Sequence, residues 1–305
     1  MSINFYDFSY LRELVRGYSS VVISSDKAYL ADLRLAPLVT KMKLNSLEEL
    51  MNKLQSQPFN HLHIQVVEAM LLTETSFFRD SYPFDAIAKT ILPELIRKKQ
   101  TQQTLNIWCA ACSSGQEPYS IAMLLCEQFP ELATWKIRLL ATDLSHEMIA
   151  RARAASYHQM EIMRGLPKTL LMKYFQNSGK IWQLKDNIRE MVEFRQMNLV
   201  TDSLEKTIFD IIFLRNVLIY FDWQTKKAVL EKVREVLSPN GYLFLGSGET
   251  PLNIYEYFPA ASGAILNIDT TKIRPETNIF KSSDPQFEHL QIEKAICYKR
   301  YSKSY

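Results

Sequence analysis

Glycine is scarce in this chain, with 8 residues in 305, roughly a third of the usual share of about 7%. Collagen-like and glycine-rich architectures are excluded, and each glycine at a strand end becomes informative. The pattern GxGxxG is absent, so a dinucleotide whose pyrophosphate needs close backbone approach is not expected. Cysteine is sparse too: Cys109 and Cys112 form one CxxC without a second cluster, and Cys126 and Cys297 stand alone. That spacing excludes a disulfide scaffold and offers no metal-ligand set, so the four read as reduced thiols and no metal is expected. The amino terminus Met1-Ser2-Ile3-Asn4-Phe5 lacks the basic stretch and apolar run of a secretory leader. No apolar run nears the roughly 18 residues of a membrane span, so a cytoplasmic chain without membrane insertion is expected.

What is present fits a globular protein: 47% hydrophobic and 23% charged residues exclude disorder as the dominant state. The length suits one large domain plus a smaller one. Net charge is +3, and residues 270–305, with seven Lys or Arg and four Asp or Glu, hold all of that excess. A protein-wide basic field for gripping nucleic acid is therefore not supported.

From Phe5 to Leu72 apolar residues recur at three- and four-residue steps, as in Leu11, Leu14 and Val15, then Leu30, Leu33 and Leu38, then Leu47, Leu50, Met51 and Leu54. This predicts a small all-helical domain over residues 1–72. Ser46, followed by Glu48 and Glu49, suits a helix N-cap with acidic residues in the first turn. Beyond it the period changes. Apolar runs at 105–109, 137–141, 209–214 and 241–245 alternate with helical stretches near 121–129, 148–155 and 225–237, the pattern of a parallel sheet flanked by helices. The sequence thus predicts an α/β, doubly wound domain over residues 73–269. Asn177-Ser178-Gly179 predicts a hairpin inside a small β insertion at about 172–196, and Ser238-Pro239-Asn240-Gly241 reads as a turn. Residues 270–305, interrupted by Pro275 and Pro285, form an extension with no assigned role.

In such a sheet, ligands bind beyond the carboxyl ends of the strands. The first strand runs into Ala110-Ala111-Cys112-Ser113-Ser114-Gly115-Gln116-Glu117-Pro118, small residues that clear space and a proline suited to a first helical turn. A cofactor without phosphates, such as S-adenosylmethionine, does not require the glycines that a pyrophosphate does. Asp143 closes the second strand, where a carboxylate holds ribose hydroxyls or caps the helix that follows. Glu117 either accepts a cofactor ammonium or merely complements the helix dipole.

Five segments in order, Thr75-Ser76-Phe77-Phe78-Arg79-Asp80, Ser114 to Ala122, Ala141-Thr142-Asp143-Leu144, Phe213 to Asp222, and Leu237 to Phe244, resemble the successive motifs of the CheR chemotaxis receptor methyltransferases. The resemblance spans roughly residues 5–265. It implies a Rossmann-like S-adenosylmethionine-dependent enzyme, releasing S-adenosylhomocysteine, that methylates glutamate side chains on bacterial chemoreceptors. It implies cofactor contacts at Thr75, Arg79, Glu117, Asp143, Asn198, Leu199, Asn216 and Val217, with Arg79 and Tyr220 nearest the transferred methyl. A glutamate carboxylate, with a pKa of about 4.3, is already ionised at neutral pH and needs no general base. What remains is positioning, with Arg79 gripping the carboxylate and Tyr220 donating a hydrogen bond.

The same resemblance makes the helical amino-terminal domain the receptor-docking part, with Arg34, Lys41 and Lys43 as candidates for meeting acidic receptor helices. Gln176-Asn177-Ser178-Gly179-Lys180 is short, with one glycine, where some members carry a glycine-rich loop that holds a receptor pentapeptide. Tether-independent docking by a monomer is expected. Two other readings stay open: a methyltransferase of this fold acting on a small molecule or another target, and a non-catalytic cofactor-binding sensor. Against base methylation, the fourth strand ends Arg215-Asn216-Val217-Leu218 and not in the Asn/Asp-Pro-Pro-aromatic motif that holds a flipped base.

Overall fold

The computed structural model describes residues 3–203, 207–249, 280–281, 287–292 and 295–300. The chain forms two compact units, Met1–Thr73 with Tyr220–Val229, and Glu74–Ile219 with Leu230–Tyr305.

The first unit holds α1 (Phe5–Ser19), α2 (Tyr29–Lys41), α3 (Leu47–Gln55) and α4 (His61–Met70). Three of the four starts have a side-chain cap, α2 having none. The Asn4 side chain accepts the Asp7 N–H, Ser46 accepts the Glu49 N–H, and Asn60 with His63 forms a capping box. The core gathers Leu11, Val15, Leu35, Leu50, Met51, Leu54, Val66 and Val67, all fully buried. Leu33, expected in the apolar stripe of α2, is 69% exposed; the helix begins at Tyr29, so its buried phase runs through Ala31, Leu35 and Leu38. The segment from Tyr220 belongs here: Val22 N–H donates to the Tyr220 carbonyl at 2.8 Å, and Arg16 pairs with Asp222 at 3.1 Å.

The second unit opens with α5 (Tyr82–Ala86), a π-helical turn over Ile87–Ile91 and α6 (Leu92–Lys99). Then β1 (Thr104–Ala110), α7 (Gln116–Gln128), β2 (Lys136–Asp143) and α8 (His146–Ala154) alternate as the sequence predicts. A small subsheet follows, built from β3 (Ser156–His158), β4 (Phe175–Ser178) and β5 (Ile181–Leu184), with the short helices α9 (Gln159–Met163) and α10 (Lys168–Tyr174) between β3 and β4. The chain returns through α11 (Asp186–Arg189) to β6 (Val192–Gln196), β7 (Phe209–Leu214), α12 (Trp223–Val236) and β8 (Leu237–Leu245), and ends in β9 (Phe280–Lys281), β10 (Phe287–Ile292) and β11 (Ala295–Arg300). The main sheet has eight strands in the order β6-β2-β1-β7-β8-β11-β10-β9. The first five are parallel, and β11 runs antiparallel to β8. Every residue of β7 is buried, as a parallel strand covered on both faces requires.

Three expectations need correction. The insertion begins earlier than 172, because β3 pairs with β5, and ends before 192, because β6 pairs in parallel with β2 in the main sheet. Ser238-Pro239-Asn240-Gly241 is no separate turn. It lies inside β8 as a bulge, with Phe209 opposite Leu237 and Ile211 already opposite Tyr242, and Asn240 at φ 65° absorbs the excess chain. The extension 270–305 acquires a role in its described part, since β11 sits between β8 and β10 with Cys297 and Tyr298 buried on opposite faces. Its strands are three short segments, so the prolines that exclude a long element do not exclude them.

Candidate functional site

Strand β1 pairs with β2 on one side and with β7 on the other, so the strand order reverses there and a crevice opens at the carboxyl ends. The loop leaving β1 is built to approach a ligand closely. Ala111, Ser113 and Gly115 all have positive φ, at 55°, 50° and 91°. Gly115 is required twice over, by its φ and because a Cβ would lie 3.0 Å from the Ala152 Cβ on α8. The loop is pinned on both sides: Cys112 N–H donates to the Thr142 carbonyl at 2.9 Å, and the Tyr157 hydroxyl donates to the Ser114 carbonyl at 2.8 Å.

Asp143 ends β2 and ties this loop down. Its Oδ2 accepts the Ser113 N–H at 2.8 Å and its Oδ1 accepts the Ser145 N–H at 2.9 Å. The N-cap of α8 is Ser145, whose side chain accepts the Met148 N–H, so Asp143 is not the capping residue. The Asp143 carbonyl in turn accepts the Met197 N–H at 2.8 Å, which brings the turn carrying Asn198 and Leu199 to the same strand end. Asn198 closes that turn, its N–H donating to Asp202 and its Oδ1 accepting from Val200 N–H, both at 2.9 Å.

Glu117 lies in the first turn of α7 and is buried. It is more than a dipole complement, because Arg215, just past β7, donates from Nη1 to Glu117 Oε2 at 2.7 Å. The same guanidinium donates from Nη2 to Asp80 Oδ2 at 2.6 Å and to the Arg79 carbonyl at 3.2 Å. Burial pushes the Glu117 carboxyl upward, with Arg215 pulling against it. Burial also raises the Cys109 and Cys112 thiols well above their ordinary values and leaves them protonated. Among the described residues no cluster of His, Cys, Asp or Glu could hold a metal.

Thr75 and Arg79 lie on the segment before α5, and Arg79 is half-buried, with Nη1 donating to the Glu74 carbonyl at 3.1 Å. Phe77 is core, meeting Tyr157 and Phe175 edge-on. Asn216 takes φ 61°, and its N–H donates to Glu249 at 2.8 Å; Val217 beside it is half-buried. In the other unit, Tyr220 is half-buried. Arg34 donates to the Met70 carbonyl at the end of α4, whereas Lys41 and Lys43 are exposed at the end of α2.

Sequence reasoning missed Arg215 and Glu249. Arg215 stood beside Asn216 in the strand-end motif. Glu249 gave no signal, since its partners, the Asn216 and Gly246 N–H groups at 2.8 and 2.7 Å, come from strand ends that only the sheet brings together.

The family described as CheR methyltransferase, SAM binding domain, matches residues 73–264. The chain belongs to the CheR methyltransferase family. It is 41% identical over 253 residues to the chemotaxis protein methyltransferase Cher2 of Pseudomonas putida, covering 82% of this chain and 92% of that protein. It is 40% identical over 256 residues to chemotaxis protein methyltransferase 1 of Pseudomonas aeruginosa (83% and 93%), and 34% over 249 residues to the chemotaxis protein methyltransferase of Borreliella burgdorferi (80% and 88%). This CheR methyltransferase uses S-adenosylmethionine. Its donor set suits that group: a carboxylate at the end of β2 and another in the first turn of α7 match hydroxyls and an ammonium, and a loop with a single glycine makes no provision for a pyrophosphate. Among the described residues no helix is long and apolar enough to cross a membrane.

Proposed function

We propose that this S-adenosylmethionine-dependent methyltransferase esterifies glutamate side-chain carboxylates in the cytoplasmic helical domains of chemoreceptors. The cofactor supplies a methyl group activated on a sulfonium. Asp143 holds its ribose and Glu117 its ammonium, with Thr75, Asn198, Leu199, Asn216 and Val217 completing the contacts.

The observation that carries this reading is the place of Arg79, on a turn that Arg215 ties to Glu117. The Arg79 guanidinium, near enough to help lower the Glu117 pKa, suits an anionic acceptor and can bind a carboxylate through two parallel hydrogen bonds. No general base is needed, since a glutamate with a pKa of about 4.3 is ionised at neutral pH. Tyr220, carried by the other unit, is assigned a hydrogen-bond donor role from the family motif alone. The helical unit is the docking domain, with Lys41 and Lys43 exposed to meet acidic helices and Arg34 also occupied in holding α4. The β4–β5 hairpin turns at Gly179, φ 74°, in a short segment with a single glycine, which supports docking without a peptide tether. The enzyme is read as a cytoplasmic monomer.

The test is transfer of label from S-adenosylmethionine to chemoreceptor-rich membranes of the host, comparing the wild type with Arg79→Ala. Label released as methanol by mild base, and lost in the variant, is the expected result. Bound cofactor with no labelled receptor would overturn the glutamate reading.

A further inference from the structure

We propose that Asp80 is a positioning residue: through Arg215 it couples the carboxylate of Glu117 to the turn that carries Arg79, so cofactor occupancy and the placement of Arg79 change together. The inference rests on Glu117 as the acceptor of the cofactor ammonium.

The Arg215 side chain is 1% exposed and shared between two carboxylates, Glu117 at 2.7 Å and Asp80 at 2.6 Å. One guanidinium against two carboxylates leaves one net negative charge, with Glu117 buried and Asp80 34% exposed, which an ammonium bound at Glu117 neutralises. The Arg215 Nε has no partner among the described residues, so the guanidinium's hold on the protein is concentrated in its two Nη groups. When the ammonium takes up part of the Glu117 charge, the attraction of Arg215 shifts toward Asp80 and the Arg79 carbonyl, which it already meets at 3.2 Å.

The turn is built to respond. Phe78, Asp80 and Ser81 have φ of 48°, 66° and 46°, three non-glycine residues in a conformation such residues rarely adopt and hold only when their surroundings fix them. Its other hydrogen bonds include the Phe78 N–H to Ser120 Oγ at 2.9 Å, the Ser81 N–H to the Phe78 carbonyl at 2.9 Å, the Tyr82 N–H to the Asp80 carbonyl and the Arg79 Nη1 to the Glu74 carbonyl at 3.1 Å. None of these joins the turn to Glu117 as the Arg215 contacts do. Coupling of this kind is reciprocal.

Asp80→Asn isolates the effect. Asn has the same shape and accepts a left-handed φ readily, and the Asp80 side chain is 34% exposed, so the fold is retained. Hydrogen exchange of the backbone amides of residues 77–81 is measured on the full chain with and without saturating S-adenosylhomocysteine. In the wild type the cofactor product slows exchange about fivefold or more, the low end of ordinary site-to-site coupling. In Asp80→Asn, at saturation and with an unchanged melting temperature, that protection is lost, and Asp80→Glu restores part of it. Equal protection in wild type and Asp80→Asn, or none in the wild type, overturns the proposal. The exchange readout needs no receptor, so a wild type that shows the protection but labels no receptor would sink the glutamate reading and leave this coupling standing.

Discussion

The Asp143 carboxylate joins two strand ends, accepting the Ser113 N–H of the β1 loop at 2.8 Å while it also accepts the Ser145 N–H at 2.9 Å. A cofactor hydroxyl at this place meets a carboxylate already held by two backbone donors. In Asp143→Asn the amide must turn a donor toward one of those N–H groups. A hydrogen bond to a charged group contributes about 1.5–3 kcal/mol, so S-adenosylhomocysteine binding should weaken about tenfold or more in titration calorimetry. Unchanged affinity would leave Asp143 with only its loop-pinning role.

Glu117→Gln separates two functions of one side chain. Removing one partner of a buried ion pair costs about 3–5 kcal/mol, and the retained amide oxygen should keep the loss near the lower figure. Urea unfolding reads that loss, and calorimetry reads a cofactor affinity reduced at least about tenfold. Lower stability with full affinity would make Glu117 a structural partner of Arg215 alone.

The sheet and the helical amino terminus were legible because buried parallel strands read as unbroken apolar runs and helices as a 3.6-residue period. The period-bearing segments at 105–109, 137–141 and 209–214 all became strands. Asp143 and Glu117 were legible for a related reason, since each sits at a strand end or helix start where ligands gather. Arg215 was not, because its partners Glu117 and Asp80 lie about a hundred residues or more away in sequence, and only the parallel pairing of β1 with β7 makes them neighbours. The carboxyl-terminal strands were hidden differently. β10 and β11 are six residues each, with charged residues interleaved and no long apolar run, and their place in the sheet depends on the exposed edge of β8.

Gly165 offers a test of how tightly the Arg79 segment is held. It adopts φ +90°, and a Cβ there would lie 2.0 Å from the Phe77 carbonyl oxygen. Gly165→Ala therefore forces the backbone at Phe77 to move, two residues from both Thr75 and Arg79. Strain at such a site is typically about 1–3 kcal/mol, and the melting temperature should fall accordingly. Activity should fall further than the unfolded fraction explains, because the displaced segment carries proposed ligands. A variant that is destabilised yet fully active when folded would show that the turn tolerates the shift.

Glu94 on α6 anchors the last strand and sets an acid limit on stability. Its Oε1 accepts from Lys98 at 2.6 Å and from Lys299 of β11 at 2.7 Å, and its Oε2 accepts from the Tyr242 hydroxyl at 2.7 Å. Burial works to raise its pKa, but the donors from Lys299, Lys98 and Tyr242 outweigh it and hold the carboxyl at about 2. The folded value lies below the unfolded one of about 4.3. The contribution is therefore complete above the unfolded value and is lost as pH falls toward 2. Glu94→Gln should cost about 1–2 kcal/mol at neutral pH, a modest figure because the cluster is partly solvated. It should also flatten the fall in stability between about pH 5 and pH 2, the window set by those two values, as read by denaturant midpoints. An unchanged slope in the variant would assign the acid sensitivity to other carboxylates and leave Lys299 as a packing contact of β11.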